Sequence, residues 1–355
     1  MDTTAPFSRH QRITNTLLLN ASFIDNIGLM HGKMGISIYF FHLARETQNR
    51  IYKDYAEDLI DEIYEEINTT TPFDFEDGLA GIGWGIEYLA QNGFIDADTD
   101  EVLETIDSQL CLSKEQFKGP GLLNGITGLG VYYLSRIQNP HSTNEKTTTF
   151  LNKQILIQII DELELILGNN ILKLANSSED YSLTWDYTIL LLFFTEVNQL
   201  SLGYHKVDQI LQQLIHPFLE LIDLPKQHSK CLLLTFAFSR MKYCILPQTL
   251  KDSIDKLIQR LLTRLDRLTI ANELTSNSSA LQKGTSGIVW IYQQLFHITG
   301  NSFYQIEESY WKTYSFKLDE SSQYLSGLYL GKENEKNVFG LLSGLAGINL
   351  IQLWK

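Results

Sequence analysis

Two kinds of apolar pattern alternate along this chain of 355 residues. In the first kind, apolar residues recur every three or four positions on one face and acidic residues occupy much of the remainder. This pattern predicts half-exposed helices, and it covers residues 51–67, 151–167, 207–222 and 250–268. In the second kind, nearly every side of the segment is apolar, which predicts buried helices. It covers residues 35–44, 81–90, 128–137, 287–298 and 347–354.

A five-residue phrase, Gly-x-x-Gly followed by Ile or Leu, opens each of the apolar segments. Its copies begin at Gly32, Gly78, Gly125, Gly284 and Gly344. The starts are separated by 46, 47, 159 and 60 residues, and the longest interval divides into three steps of about 50 residues, a period typical of repeat proteins. We therefore expect two degenerate copies within it. The alternation of helix types assigns them to residues 181–197 and 228–243.

Together the copies predict an all-α fold of seven inner helices, each with an outer partner, the first outer helix lying near residues 10–20. Such helix pairs close into a ring, an α/α toroid, whose units share one core. No linker rich in proline, glycine or serine divides the chain. We therefore interpret residues 1–355 as a single domain.

Composition narrows the range of partners. The net charge of −14 argues against nucleic acid and against an anionic membrane surface, but it is compatible with a cationic peptide. No apolar segment is long enough to span a membrane, and the N-terminus lacks the basic and apolar regions of a secretory signal. Three scattered cysteines do not suggest a disulfide framework. We expect a cytoplasmic protein without membrane insertion.

A polar residue precedes the first glycine of every intact phrase. These residues are His31, Asp77, Asn124, Lys283 and Ser343. Parallel inner helices bring them to one end of the ring, a funnel, where glycine allows close approach and positive φ angles. Asp, Asn and Ser are favoured helix N-caps, so capping accounts for three of them. Lysine is disfavoured at a helix N-terminus, which leaves Lys283 and His31 as candidates for function.

The phrases at residues 77–84 and 341–348 resemble those of the lanthionine synthetase C-like family, and the resemblance covers essentially the whole chain. It implies a toroid of seven inner helices opened by glycine. It also implies a chemistry, because catalytic members use one zinc ion to activate a cysteine thiolate of a peptide. The thiolate adds to a dehydrated residue and forms a thioether, while a nearby histidine moves the proton.

The chain departs from the family at the positions where the resemblance implies zinc ligands. The resemblance implies a Cys in the fifth unit and a Cys-His pair before the glycine of the sixth, where this chain has Gln282 and Lys283. The fourth unit presents Thr184-Trp185-Asp186 where catalytic members have a histidine before glycine. Cys231 is the only ligand-type residue that survives. Because one cysteine cannot replace three protein ligands, we expect no zinc and no other cofactor.

The favoured function is maturation of a ribosomally made peptide by a zinc-less protein, a candidate pseudoenzyme whose funnel binds the peptide or a peptide-modifying enzyme. Candidate binding residues are His31, Asp77, Asn124, Trp185, Asp186, Gln282 and Lys283. Two alternatives stay open. One is a metal-free enzyme with Lys283 or His31 as its base and Asp186 as a further catalytic candidate. The other is a glycosidase-like toroid using Asp77 and Asp186, although acids at helix starts also simply complement the helix dipole.

Overall fold

The computed structural model describes residues 8–117, 119–139, 147–177, 180–200, 205–221, 223–244, 246–274, 278–321 and 338–353. Within these ranges it contains seventeen α-helices and no β-strand. No helix of the described part is both long and apolar enough to cross a membrane.

Seven inner helices form a closed ring. They are α2 (Lys33–Thr47), α4 (Leu79–Gln91), α7 (Ile126–Gln138), α10 (Asp186–Gln199), α12 (His228–Met241), α15 (Thr285–Thr299) and α17 (Leu345–Leu353). Each packs on the next, and α17 packs on α2. The predicted toroid is confirmed, including its two degenerate copies, which become α10 and α12.

Seven outer helices surround this ring. They are α1 (Arg9–Asn20), α3 (Arg50–Glu66), α6 (Glu104–Leu112), α8 (Thr147–Leu167), α11 (His205–His216), α13 (Gln248–Leu262) and α16 (Ser302–Ser321). Three short helices accompany them, namely α5 (Thr99–Val102), α9 (Ile171–Ala175) and α14 (Arg267–Glu273). The single helix predicted over 250–268 is wrong, because Asp266 accepts a hydrogen bond from the Thr269 backbone and starts α14 as a separate helix.

The two ends of the chain meet in one unit. Each outer helix packs on the inner helix before it, except that α1 packs on α17. The buried Asn349 side chain of α17 donates hydrogen bonds to the His10 carbonyl (3.2 Å) and to the Tyr39 hydroxyl (3.1 Å). Tyr39 also lies 2.6 Å from the Thr14 hydroxyl. These bonds join α1, α2 and α17, so the ring is closed by polar contacts as well as by packing.

The loops before five of the inner helices fold back over the helix start. In each, the first helical N–H donates to the carbonyl seven residues earlier: Lys33 to Asn26, Leu79 to Pro72, Ile126 to Gly119, Thr285 to Ser278 and Leu345 to Val338. The second glycine of each phrase consequently lies against the carbonyl six residues before it. Close approach, rather than a left-handed backbone, explains these glycines, because the four cap glycines Gly32, Gly78, Gly125 and Gly284 have φ between −105° and −125°. The expectation of positive φ is wrong for these cap glycines, although Gly119 in the loop before α7 has a φ of 83°.

Backbone hydrogen bonds also join these loops to one another around the ring axis. The linked residues, in order, are Leu183, Gln282, Leu342, Met30, Glu76 and Leu123. Each link is one N–H···O=C bond of 2.8 to 3.0 Å. The belt fixes the mouth of the funnel and the polar residues beside it.

Candidate functional site

One pocket gathers most of the candidate residues. It lies between the loops that precede α7, α10 and α15 and has a volume of about 670 Å³. We call it the funnel pocket; its lining consists of residues 119–124, Asp180, Ser182, 184–186, Gln282 and Lys283. Five predicted binding residues therefore share one cavity. They are Asn124, Trp185, Asp186, Gln282 and Lys283.

Gln282 holds two units together at this pocket. Its carbonyl accepts the backbone N–H of Leu183 (2.8 Å), and its side-chain amide donates to the Thr184 hydroxyl (3.2 Å). Its own N–H donates to Leu342 of the seventh unit. Gln282, at a position where the family resemblance implies a cysteine, thus bridges the fourth, sixth and seventh units.

The pocket carries charges of both signs. Asp186 is the first residue of α10 and is half-buried, and a Cβ atom added to Gly121 would lie 3.3 Å from its carboxylate. Lys283 is exposed and precedes Gly284, the N-cap of α15. A cation is electrostatically disfavoured at a helix N-terminus, and nearby anions offset that cost. The carboxylates of Asp180 and Asp186 line the same cavity.

Trp185 forms an aromatic wall of the pocket. It is only 5 % exposed, and the Lys230 ammonium lies 4.8 Å from the centre of its ring. The indole N–H is buried and has no hydrogen-bond partner within the described ranges. A buried donor without a partner is a point at which a ligand or a water molecule would be bound. The wall therefore offers an apolar face and one donor.

Part of this lining could not be predicted from the sequence. Asp180, Ser182 and residues 119–121 carry no recognisable motif, and folding alone brings them to the cavity. Thr184 did carry a signal. The N-cap of α10 is Trp185, so Thr184 occupies the place that polar residues hold before the first glycine in the intact phrases.

His31 and Asp77 lie outside the funnel pocket. The Nδ1 atom of the buried His31 is 3.0 Å from Asp77 Oδ2, and the His31 backbone N–H donates to Oδ1 at 3.0 Å. Asp77 lines a separate cavity of about 550 Å³ with acidic neighbours that include Asp25 and Glu66. Lys283 and Asp186 line the funnel pocket, whereas Asp77 lines the second cavity. The two acids of the glycosidase-like alternative therefore face different cavities.

The predicted capping role of Asp77 and Asn124 is wrong. The N-caps of α4 and α7 are the following glycines, Gly78 and Gly125, so these helix starts have no side-chain cap. Asp77 instead ties the loop before α4 to the loop before α2 through His31. Asn124 is exposed at the funnel pocket.

This pairing predicts a pH-dependent contribution to stability. Burial on its own would raise the pKa of Asp77, but hydrogen bonds from His31 and Asn26 outweigh burial and lower it. A depressed pKa in the folded state stabilises the protein above the unfolded pKa of about 3.9, and this contribution is lost as pH falls through the folded-state value. We expect Asp77→Asn to cost about 1.5–3 kcal/mol at pH 6 and less at pH 3.

Urea unfolding of wild type and variant at several pH values measures this difference. The exposed Asp252→Asn on α13 is the matched control and should change stability little at any pH. A difference between wild type and Asp77→Asn that stays constant from pH 6 to pH 3 would contradict the assignment.

The residues do not fit a zinc ion. At the sixth unit the donors are the Gln282 amide and the Lys283 ammonium, neither of which is a usual zinc ligand. Cys231 is fully buried, its thiol donates to the Pro225 carbonyl at 3.3 Å, and burial raises the pKa of this thiol to about 12. In the described part of the chain, no group of three or more His, Cys, Asp or Glu residues is arranged to hold a metal. The expected lack of a cofactor stays a prediction.

Comparison with known proteins supports the resemblance drawn from the glycine phrases. The sequence model of "Lanthionine synthetase C-like protein" matches residues 24–184. The solved structure of "Nisin cyclase" superposes with a TM-score of 0.65 over 97 % of this chain and 93 % of that one, at 14 % sequence identity. Comparison with curated proteins gives no match. At this identity the structural likeness concerns the fold, which is the same closed toroid.

Proposed function

We propose that this lanthionine synthetase C-like protein takes part in the maturation of a ribosomally made peptide, which it binds in the funnel pocket without zinc. The resemblance to the lanthionine synthetase C-like family implies such a substrate, and the fold is that of the structure named "Nisin cyclase". The bound peptide is held for a modifying enzyme rather than cyclised by this chain. We place this activity in the cytoplasm.

The convergence of different polar groups in one cavity carries the proposal. A peptide presents amide donors and acceptors along its backbone, and Asn124 and Gln282 offer both kinds of group. Asp180 and Lys283 add charges of opposite sign, and the Trp185 indole adds an apolar face. A few oriented polar groups beside an aromatic wall are typical of a binding pocket.

Charge favours a cationic peptide. The chain carries a net charge of −14, and such a field attracts cationic ligands over a distance that shrinks as salt is added. We therefore expect the association rate constant to fall as ionic strength rises.

The enzymatic alternatives have less support. A lysine acts as a base near neutral pH when burial lowers its pKa, whereas Lys283 is exposed. A glycosidase needs two carboxyl groups about 5–10 Å apart across one cleft, whereas Asp77 is bound by His31 beside a different cavity.

Selection of a displayed library of linear peptides on the immobilised protein tests the proposal. Dissociation constants of the selected peptides are then measured for wild type, Asp186→Asn and Lys283→Gln. We expect at least one of the two variants to weaken binding about tenfold, which corresponds to the loss of one charge-assisted hydrogen bond. The intact mass of a bound peptide should not change after incubation.

Lys256→Gln and Asp252→Asn, both exposed on α13, are the matched controls and should leave the dissociation constant unchanged. Peptides whose affinity is insensitive to both pocket variants would show that binding occurs elsewhere. A change in peptide mass that depends on Lys283 would favour the metal-free enzyme instead.

A further inference from the structure

The fifth unit starts its inner helix in a different way from the five intact units. In those units a backbone carbonyl of the folded-back loop accepts the first helical N–H. At α12 the Glu273 carboxylate does so, accepting the N–H groups of His228 and Ser229 at 2.8 Å each and the Ser229 hydroxyl at 2.7 Å. Glu273 is the last residue of α14. A side chain from the outer layer therefore occupies the positive end of this helix.

The belt around the funnel bypasses the fifth unit. Leu183 of the fourth unit bonds directly to Gln282 of the sixth, and the Gln282 side chain adds a second bond to Thr184. The lining of the funnel pocket comes from the third, fourth and sixth units, and no described residue of the fifth contributes to it. A ligand presented by the fifth unit would have to pass between two units that are already joined.

Trp185 and Lys230 fill the space between α12 and the pocket. Lys230 is three residues after the N-cap Gln227, the position of the second glycine in the intact phrases. Its buried ammonium faces the Trp185 ring at 4.8 Å and donates to the Ser177 carbonyl at 2.9 Å. A buried positive charge beside the pocket raises the electrostatic cost of placing Zn²⁺ there.

Cys231 belongs to the core of this unit. It lies four residues after the N-cap, where the intact phrases have isoleucine or leucine. Full burial fits this role, since a cysteine in apolar surroundings packs as a small hydrophobic residue. Cys231, the only ligand-type residue suggested by the sequence, thus takes the place of the isoleucine or leucine of the intact phrases.

We infer that the path of the backbone through the fifth unit, and not only the identity of two side chains, excludes zinc from the funnel pocket. Restoring a Cys-His pair at the sixth unit will therefore not restore a metal site. Metal content and thiol reactivity test the inference without reference to peptide binding, so either proposal can fail alone.

The first test is the double variant Gln282→Cys/Lys283→His. The folded protein is equilibrated with zinc, desalted and analysed for metal beside wild type, with circular dichroism confirming its helix content. We expect no more zinc in the variant than in wild type. One tightly bound zinc ion per chain would overturn the inference, and its loss on adding Cys231→Ser would identify Cys231 as the third ligand.

The second test uses the wild-type chain and stands even if the double variant does not fold. Cys111 is exposed, whereas Cys231 and Cys244 are buried. Cys111 therefore serves as the control for an accessible thiol, and Cys244 as the control for a buried one. Iodoacetamide labelling followed by peptide mass analysis should modify Cys111 at least about a hundredfold faster than Cys231, because a buried thiol reacts only after local opening. Labelling of Cys231 at the rate of Cys111 would show that the start of α12 opens to the funnel, and would overturn the inference.

Discussion

Replacing Arg136 with methionine will lower the free energy of unfolding by about 3–5 kcal/mol, the cost of leaving a buried charge without its partner. The Arg136 side chain is completely buried on α7. Its guanidinium lies 2.9 Å from Glu87 of α4, 3.0 Å from Asp100 of α5 and 2.9 Å from Asp107 of α6. Among the described residues, Arg136 is the only ion-pair partner of the fully buried Glu87 carboxylate, and the variant removes it.

Urea unfolding monitored by circular dichroism measures the effect. Arg50→Met is the matched control, because Arg50 is 89 % exposed and its ion pair with Asp54 lies on the surface of α3. This variant should cost less than about 0.5 kcal/mol. Adding Glu87→Gln to Arg136→Met should recover part of the loss, since the double variant no longer buries an unpaired carboxylate. Equal effects of Arg136→Met and Arg50→Met would contradict a structural role for the cluster.

Gly81→Ala will destabilise the protein by about 3 kcal/mol, the upper part of the range for overpacking a buried site. Alanine is favoured over glycine in a helix by about 1 kcal/mol, so any loss must come from steric overlap. The added Cβ would overlap the Phe75 carbonyl oxygen and lie 3.0 Å from the Leu29 Cβ. The Phe75 backbone cannot move freely, because its N–H donates to Leu123 of the third unit at 2.9 Å.

Gly85→Ala on the same helix is the matched control. Its Cβ would meet only the flexible side chain of Met34, whose nearest atoms lie at 2.6 Å and can rearrange. We expect a change within about 1 kcal/mol in either direction. Thermal and urea unfolding of both variants decide the matter, and equal losses at Gly81 and Gly85 would mean that contact with the folded-back loop is not what requires glycine.

The core of the buried ion cluster has a signal in the sequence. Glu87 and Arg136 are each a single charged residue near the end of an otherwise apolar inner segment, and they have opposite signs. Charged residues are almost never fully buried unless they are paired, so adjacent buried helices with one charge each predict a bond between them. The partners Asp100 and Asp107 had no comparable signal, because acids on outer helices are ordinary.

The candidate site was predictable only in part, for a geometric reason. Residues beside each glycine phrase were expected at the funnel mouth, and the cavity does contain Asn124, Gln282 and Lys283. The sequence could not show that His31 and Asp77 bind each other instead, since they are 46 residues apart and meet only through packing of neighbouring loops. Nor could it show that Asp180 joins the pocket.

The sequence by itself determined the number of units, the division into inner and outer helices and the closed ring, because periodic apolar residues and repeated glycines encode local structure wherever they occur. The tertiary structure decided which polar residues meet. It joined the fourth unit to the sixth through Gln282, capped α12 with Glu273 and buried Cys231 in the core. Such contacts depend on the path of loops between distant residues, and a single sequence does not record that path.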